Sequence, residues 1–460
     1  MVLVGPAIPP SRPTSNRAEI RRDKESRRRA GRRYPARVTP GAPLTAAAVL
    51  ARIPATVDAA VVRAGRDVYI AAEPDAVEVA SGHRAFDVLD RLAPGWWAGF
   101  LTYELGAAVE RVARSPHAGD RDAVPLPDLV LARFPARLAV DGSTGRSRAM
   151  GGGPGRELLE SAAAAARVDS SVPPPPVLRS WRSTLSRTAF EERVTAILDH
   201  IVAGDCYQVN LTRRLTCDRP VDPVALFGAL EECNPSPHGA VLRLHDAPGF
   251  PPIAVVSASP ERFLSWRGPD VETRPIKGTA VDPDTLRASA KDRAENVMIV
   301  DLARNDLGRV CKHGSVAVPD LCAVESHPGL NHLVSTVRGR RRDGVRTGAL
   351  LRAMFPPASV TGAPKPRVMQ IIENLEPVPR GVYCGAVGWI DTERDRGDLN
   401  VAIRTFTIAG GRTHLGVGAG IVADSDPRAE WAETELKAAR LLAAAGAVTS
   451  DEGALAGART

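Results

Sequence analysis

Residues 188–215, TAFEERVTAILDHIVAGDCYQVNLTRRL, decide the fold class, because they place a helix directly before a strand. The apolar side chains of the first half recur at spacings of four, three and four residues, as on one helix face: Phe190, Val194, Ile197 and Ile201. Thr188 and Glu191 have the spacing of a capping box, and Gly204 marks the end of the helix. Residues 207–215 then predict a strand.

The same two patterns recur along the chain. Strands are predicted at 67–71, 96–103, 254–257, 382–390, 401–408 and 414–419, and helices near 288–302, 364–374 and 427–445. Gly410-Gly411 leaves a hairpin-sized gap between the last two strands, which favours antiparallel pairing. Clusters of strands and clusters of helices predict an α+β fold, with largely antiparallel sheets packed with helices.

Composition divides the chain into three parts. Residues 1–40 carry ten arginines and one lysine against three acidic residues, a net charge of +8, which leaves −1 for the remaining 420 residues. We expect a disordered basic tail there; a nucleic-acid-binding tail and a translation start placed too far upstream are the alternatives. The prolines at 173–176 indicate a linker, so we predict an N-terminal region at 41–176 and a second domain at 177–450.

The composition also excludes several classes of protein. With 44% apolar and 25% charged residues, the chain is neither collagen-like nor fully disordered. No apolar run approaches the roughly 18 residues of a membrane span, and the N-terminus shows no secretory signal. The six cysteines form no C-x-x-C pair, so we expect free thiols and a cytoplasmic location.

Two pairs of acidic residues are spaced three apart in predicted helices, Asp292 with Glu295 and Glu430 with Glu433. This spacing places each pair on one helix face. On two facing helices these carboxylates would offer the oxygen ligands that suit Mg²⁺. A solvated helix face is the alternative for each pair.

Lys277 lies in a turn-like segment, Arg274-Pro-Ile-Lys-Gly-Thr. A lysine in such a turn is ordinarily solvated, whereas a catalytic lysine must lose its proton through burial or a neighbouring cation. Glu261 precedes it by half a hairpin, so we expect these two side chains to face each other across one cleft.

Two loops and two cations complete the pattern. Residues 359–365 open a helix, where free N–H groups can meet an anion, and the glycines of 416–420 let a backbone approach a ligand closely. Arg404 offers a two-pronged donor for a carboxylate, and Lys437 lies one helical turn after Glu433. The residues alone therefore predict an anionic ligand with more than one carboxylate, bound together with Mg²⁺.

Eight motifs, in order between residues 180 and 445, resemble those of the chorismate-utilising enzymes. They are GDCYQVNLTR from Gly204, SPERF from Ser259, RPIKGT from Arg274, ENVMIVDLARNDLGRV from Glu295, HLVS from His332, SVTGAPK from Ser359, RGVYCG from Arg380 and GIVADSDP from Gly420. Residues 99–106, GFLTYELG, resemble the family's N-terminal region. The resemblance implies an α+β fold with a central cleft that binds chorismate.

Two positions select a branch of this family. The resemblance implies that members which add water to chorismate carry a lysine base where this chain has Gln208, so the isochorismate and salicylate branch is disfavoured. Anthranilate synthases carry Ala at the position of Lys277. A lysine there implies the branch that makes 4-amino-4-deoxychorismate from chorismate and ammonia, for p-aminobenzoate and folate. Anthranilate synthase component I is the alternative, and a non-catalytic scaffold or nucleic-acid-binding protein a remote one.

The resemblance also implies roles for individual residues. The catalytic set is Lys277, which attacks C2 of chorismate as the C4 hydroxyl leaves, Glu261, the general acid, and Gln208. Glu295 and Glu433 hold Mg²⁺, supported by Glu430 and by Asp292, directly or through water. The substrate-binding set is Gly278, Thr279, His332, Ser359, Tyr383, Arg404, Gly418, Ala419, Gly420 and Lys437. For Tyr383 and His332, a structural place in the core is the alternative.

The resemblance finally implies a partner. Ammonia is scarce as the free base at neutral pH, so the family's usual partner is a glutamine amidotransferase. This chain has no Gly-Tyr-Cys nucleophile segment of its own. We therefore expect a heterodimer with a separate amidotransferase subunit, and neither nucleic acid nor a membrane as a partner.

Overall fold

The structure is a computed structural model, and it describes residues 43–110, 126–178, 180–245, 247–327 and 330–447. The predicted basic tail at 1–40 lies outside these residues. The described helices are α1 (Ala46–Leu50), α2 (His83–Arg91), α3 (Gly106–Glu110), α4 (Pro154–Val168), α5 (Arg187–Val202), α6 (Pro223–Cys233), α7 (Pro283–Ala288), α8 (Ala290–Gly308), α9 (Thr347–Met354), α10 (Lys365–Leu375) and α11 (Pro427–Ala444). Short 3-10 turns lie at Tyr103–Leu105 and Ala358–Val360.

The strands follow the same chain order. They are β1 (Ala59–Ala64), β2 (Asp67–Ala72), β3 (Ala76–Ala80), β4 (Trp96–Leu101), β5 (Leu129–Arg133), β6 (Ala136–Asp141), β7 (Ser147–Gly151), β8 (Arg182–Ser183), β9 (Gln208–Cys217), β10 (Ala240–Leu244), β11 (Ile253–Ser257), β12 (Arg262–Arg267), β13 (Asp270–Arg274), β14 (Ile276–Ala280), β15 (Ala317–His327), β16 (Leu330–Arg340), β17 (Gly362–Ala363), β18 (Ala386–Asp391), β19 (Arg396–Val401), β20 (Thr405–Ala409) and β21 (Arg412–Ile421).

These strands form two sheets, and every pairing between the described strands is antiparallel. The first sheet has the order β17-β9-β21-β20-β11-β10-β1-β2-β6-β7, with β8 also paired to β9. The second has the order β14-β16-β13-β12-β19-β18-β4-β5-β3, with β15 also paired to β16. The predicted α+β fold with largely antiparallel sheets is confirmed.

The side chains of a strand point alternately to the two faces of its sheet, and this shows what packs on each face of the first sheet. In β1, Ala59 and Val61 join an apolar cluster that contains α1, α4, α6 and α11, whereas Ala60 and Val62 join a cluster shared with the second sheet. Successive strand residues point to opposite faces, so one face of the first sheet meets helices and the other meets the second sheet. The ring of Tyr69 on β2 packs edge-on against Trp389 of the second sheet, with centroids 6.0 Å apart.

Strands from both sides of residue 176 share each sheet. The first sheet contains β1 and β2 as well as β9 and β21, and the second contains β4 as well as β12. The two segments therefore fold together, and the predicted division into regions at 41–176 and 177–450 stays a prediction.

Several element boundaries differ from the prediction. The capping box at Thr188 and Glu191 is wrong, because Ser186 caps α5 and its Oγ accepts a hydrogen bond from Ala189 N at 3.2 Å. The single strand predicted at 401–408 is also wrong. It is interrupted at Arg404, whose φ is +51°, and its halves β19 and β20 lie in different sheets. The strand predicted at 382–390 begins only at Ala386.

The described helices include none that combines the length and the apolarity of a membrane-crossing segment. All six cysteines are free thiols, and five of them are buried.

Replacing Phe190 tests the packing between α5 and α11. Its side chain is fully buried, and its ring lies 5.6 Å from that of Trp431 on α11. Phe190→Ala should lower the free energy of unfolding by about 3–5 kcal/mol, because it leaves a cavity. Urea unfolding measures this change. Val202→Ala on the same helix is the control, since Val202 is 88% exposed; an equal loss in both variants would contradict the packing described.

Candidate active site

The side chain of Lys277 lies where the end of the second sheet faces strands β9 and β21 near the end of the first, a place we call the cleft. It projects from β14, the terminal strand of the second sheet, and is 15% exposed. Lys277 pairs with Leu333 of β16, and the register shifts at the next residue, Gly278. Gly278 has a φ of +79°, a conformation that glycine adopts without strain. Its α-carbon also lies so close to Asp292 that a β-carbon would approach Asp292 Cβ to 2.9 Å.

Burial dominates the electrostatics of the Lys277 amine. It lowers the pKa of Lys277 below the ordinary value, because the charged form loses water. The Glu295 carboxylate, whose Oε2 lies 3.8 Å from Nζ, raises that pKa, and Lys437 lowers it again. Glu261 and Glu433 are also close enough to raise it. One amine thus has three carboxylates from three elements around it.

Glu261 lies just before β12 and is 4% exposed. Burial raises the pKa of its carboxyl to about 7, although Ser359 hydrogen-bonds it and Lys277 and the Ile276 backbone favour its charged form. Near neutral pH it therefore exists both as a proton donor and as a carboxylate. The structure places the Glu261 carboxyl within reach of both Ser359 and Lys277; the sequence predicted only that Glu261 and Lys277 would face each other.

Gln208, the first residue of β9, is fully buried, and neither its Oε1 nor its Nε2 has a hydrogen-bond partner among the described residues. Gly420 lies on the neighbouring strand β21 and has no side chain that would separate Gln208 from the cleft. A β-carbon there would lie 2.8 Å from Gln208 Nε2 and 3.5 Å from Lys277 Nζ. The amide and the amine thus both lie close to Gly420, and a buried amide without partners indicates a site for a polar ligand.

The acidic helices α8 and α11 bring their carboxylates to this amine. Glu295 on α8 contacts Lys277, and Glu433 on α11 contacts Lys437 Nζ at 2.6 Å. Glu430 is 5% exposed and accepts a hydrogen bond from Ser425 at 2.6 Å, while its Oε2 has no partner among the described residues. Burial raises the pKa of Glu430, and Glu433 raises it further.

These carboxylates fit a magnesium ion that is bound partly through water and substrate. No group of three or more His, Cys, Asp or Glu side chains in the described part of the chain could hold a metal ion by itself. Mg²⁺ usually takes only one or two carboxylates and keeps several waters. The charges of Glu295 and Glu433 both raise the pKa of Lys277. Glu430, three residues before Glu433, has a buried oxygen without a hydrogen-bond partner among the described residues. The donor set is therefore compatible with Mg²⁺.

The remaining predicted substrate residues divide into two groups. Thr279 Oγ1 lies 2.9 Å from His332 Nδ1 next to Lys277, and Gly418 O accepts a hydrogen bond from Lys437 Nζ at 3.0 Å. Ala419 is buried, with its side chain in the apolar core.

Tyr383 and Arg404 have other neighbours. The ring of Tyr383 lies on Gly416, where a β-carbon would approach it to 2.2 Å, and burial raises its pKa well above the ordinary value. Arg404 donates to Asn234 Oδ1 at 3.4 Å, and burial followed by the charge of Arg440 lowers its pKa.

Sequence reasoning missed a buried residue that holds α8 in place. Asn296, next to Glu295, is fully buried and donates to the carbonyl of Leu333, the strand partner of Lys277, at 3.1 Å. Its Oδ1 accepts a hydrogen bond from Ser335. The only signal in the sequence was an asparagine within the motif that begins at Glu295. Its burial, which makes the amide important, cannot be read from one sequence.

The pKa of Glu261 predicts a pH-dependent stability. A carboxyl whose pKa is raised from 4.5 to about 7 by folding stabilises the protein below pH 4.5 relative to higher pH, and that contribution is lost as pH rises through 7. Glu261→Gln should therefore match the wild type near pH 4.5 and exceed its free energy of unfolding by about 3 kcal/mol at pH 8. Urea unfolding at both pH values measures the difference. Glu160→Gln, at an exposed position, is the control; a difference independent of pH would contradict the burial of Glu261.

Known proteins resemble this chain in sequence. Residues 49–443 match the model of the chorismate binding enzymes. Aminodeoxychorismate synthase component 1 of Klebsiella aerogenes is 39% identical over 355 residues, which are 75% of this chain and 76% of that protein. An anthranilate synthase component 1 of Haloarcula marismortui is 42% identical over 292 residues, 61% of this chain and 58% of that protein.

A solved structure agrees with the sequence relatives. The crystal structure of anthranilate synthase component I from Streptococcus pneumoniae TIGR4 has a TM-score of 0.68 and 26% identity, and the match covers 82% of this chain and 92% of that one. The family model spans well over half of the residues, and the structural match covers most of both chains. The chain belongs to the chorismate binding enzymes.

Proposed function

We propose that this chain converts chorismate and ammonia to 4-amino-4-deoxychorismate, the reaction implied by the name of its aminodeoxychorismate synthase relatives. The observation that carries the proposal is the buried amine of Lys277, with its lowered pKa, beside Glu261 and Glu295. A lowered pKa increases the fraction of the free amine, the form that can act as a nucleophile, whereas a solvated lysine is protonated at neutral pH.

Gln208 supports amination over hydration. Like Lys277 Nζ, its amide lies close to Gly420, and it occupies the position where water-adding members of the family are expected to carry a basic lysine. A neutral amide cannot accept a proton from water at neutral pH, so it cannot activate water as a base. Its two atoms without partners can instead donate to and accept from a polar ligand group.

The first step is a displacement by Lys277. Its Nζ forms a bond to C2 of the ring, the two ring double bonds each shift by one position, and the bond from C4 to its hydroxyl oxygen breaks. Glu261, protonated in part near neutral pH, gives the proton with which that oxygen leaves as water. The negative charge then left on Glu261 is compensated by the new cationic nitrogen of Lys277.

Ammonia completes the exchange. Its nitrogen forms a bond to C4, both double bonds shift back, and the bond between C2 and Lys277 breaks, which restores the free amine. The Glu261 carboxylate accepts the proton that the new C4 amine releases. The two steps sum to chorismate plus ammonia giving aminodeoxychorismate plus water.

Glu295 and Glu433 would hold Mg²⁺, with Glu430 and Asp292 in support. When bound, the ion would neutralise the ring carboxylate of the substrate. Lys437 holds Glu433 in position and bonds to Gly418 O, so it links α11 to the glycine-rich strand β21. We keep Arg404 and Tyr383 as proposed binders of the second substrate carboxylate; the contacts of Arg404 to Asn234 would have to yield to substrate.

One assay tests the reaction. With chorismate, Mg²⁺ and excess ammonium, the wild-type chain should form aminodeoxychorismate, and Lys277→Ala should lower its rate by more than about 10³-fold, the scale on which enzymes lose a nucleophile. Chromatography resolves aminodeoxychorismate, anthranilate and isochorismate. Lys312→Ala is the matched control, because that lysine is on the surface and pairs with Asp343.

Full activity of Lys277→Ala would exclude the proposed nucleophile. Anthranilate as the main product of the wild-type chain would instead support the second candidate, anthranilate synthase component I, which the 42% identical relative favours.

We further propose that a separate glutamine amidotransferase subunit supplies the ammonia, in a heterodimer, and that the enzyme works in the cytoplasm, as the free thiols suggest. The isolated chain should therefore turn over chorismate with ammonium but not with glutamine. Glutaminase activity, measured as glutamate release, tests this. Glutamate release by the pure chain would contradict a separate subunit.

A further inference from the structure

Arg213 is a buried cation that the proposed reaction does not use. It lies on β9, five residues after Gln208, and its side chain has no exposed surface. A guanidinium stays protonated even when burial lowers its pKa, so this charge needs partners that compensate for lost water. Those partners reveal what the residue does.

Most of these partners lie on α11, the helix that carries Glu433. Arg213 Nε donates to Thr434 Oγ1 at 3.1 Å, and Nη2 donates to the Glu435 carboxylate. The guanidinium carbon of Arg213 lies over the Trp431 ring, 4.2 Å from its centroid. On the sheet side, Nη1 donates to Ser183 Oγ at 3.2 Å. We call Arg213, Trp431, Thr434 and Glu435 the Arg213 clamp.

The clamp holds one face of α11 and leaves another for the cleft. Residues 431, 434 and 435 are spaced as one helix face, and Glu430, Glu433 and Lys437 as a second. At about 100° per residue the two faces are about 120° apart around the axis. Fixing the first face to β9 therefore sets the rotation of the helix, and with it the direction of the carboxylates.

Glu433 needs such an external constraint. Its side chain is 46% exposed, and its partner Lys437, on the same helix, reaches the sheet through a long, half-exposed side chain that donates to Gly418 O of β21. The rigid, planar fork of arginine is suited to this, since it binds two oxygens and stacks on an indole at once. The strand to which the clamp fixes α11 also carries Gln208.

We infer that Arg213 is a positioning residue for the metal ligands of α11: it sets the rotation of the helix on β9 and thereby aims Glu433 and Glu430 at the magnesium ion. The inference rests on the proposed magnesium site. It gives a role in metal binding to a residue that is not proposed to contact the metal or the substrate itself.

Binding of Mn²⁺, followed by the electron paramagnetic resonance of the free ion, tests the clamp without an activity assay. Arg213→Lys keeps the charge but loses the fork and the stacking, so it should weaken Mn²⁺ binding about tenfold. Glu435→Gln should weaken it less, because the amide oxygen still accepts one hydrogen bond. Leu436→Ala, on an exposed position of the same helix, should bind as the wild type does.

Glu433→Gln separates the two hypotheses. It should abolish the specific binding; if it binds Mn²⁺ as the wild type does, the metal site is wrong and the inference falls with it. If Glu433→Gln loses binding while Arg213→Lys keeps wild-type affinity and only melts at a lower temperature, the clamp is structural and the inference alone is overturned. If Arg213→Lys does not fold, wild-type affinity in Glu435→Gln overturns it.

Discussion

The arrangement of the site depends on one amine that is largely shielded from water, that of Lys277. A buried charge is costly, so the Lys277 side chain must either stay partly neutral or find carboxylates, and here Glu295 lies 3.8 Å away with Glu261 and Glu433 near enough to act on it. These partners come from a loop, α8 and α11. Holding them around one nitrogen requires that these segments, far apart in the chain, come together at the terminal strand of the second sheet.

Local departures from regular backbone bring the side chains there. The register shift at Gly278 lets β14 turn against Asp292, and glycine at 420 leaves room beside β21 for both Gln208 and Lys277. The break at Arg404 moves the chain from one sheet to the other between β19 and β20. Buried polar residues then fix the helices, Asn296 for α8 and Arg213 for α11. Each is satisfied by hydrogen bonds, as burial demands.

Sequence patterns predicted the long elements well, because periodicity reports which face is apolar. Strand β21 and helices α10 and α11 lie where their patterns placed them, within a few residues. The failures have physical causes. Ser186 and Thr188 are both good helix caps, and only the path of the chain selected Ser186. The apolar run 401–408 conceals a left-handed residue, and Tyr383 faces Gly416, which no spacing rule indicates.

The sequence by itself determined the fold class, the family motifs and the identity of the side chains that carry charge, since these follow from residue type and order. Tertiary structure alone decided which of those charges are buried together. Burial depends on residues far apart in the chain, such as Glu261, Lys277 and Glu433, arriving at one point. The same lysine on a surface turn would be an ordinary solvated cation; enclosed by two sheets and two helices, it has a lowered pKa and three carboxylates around it.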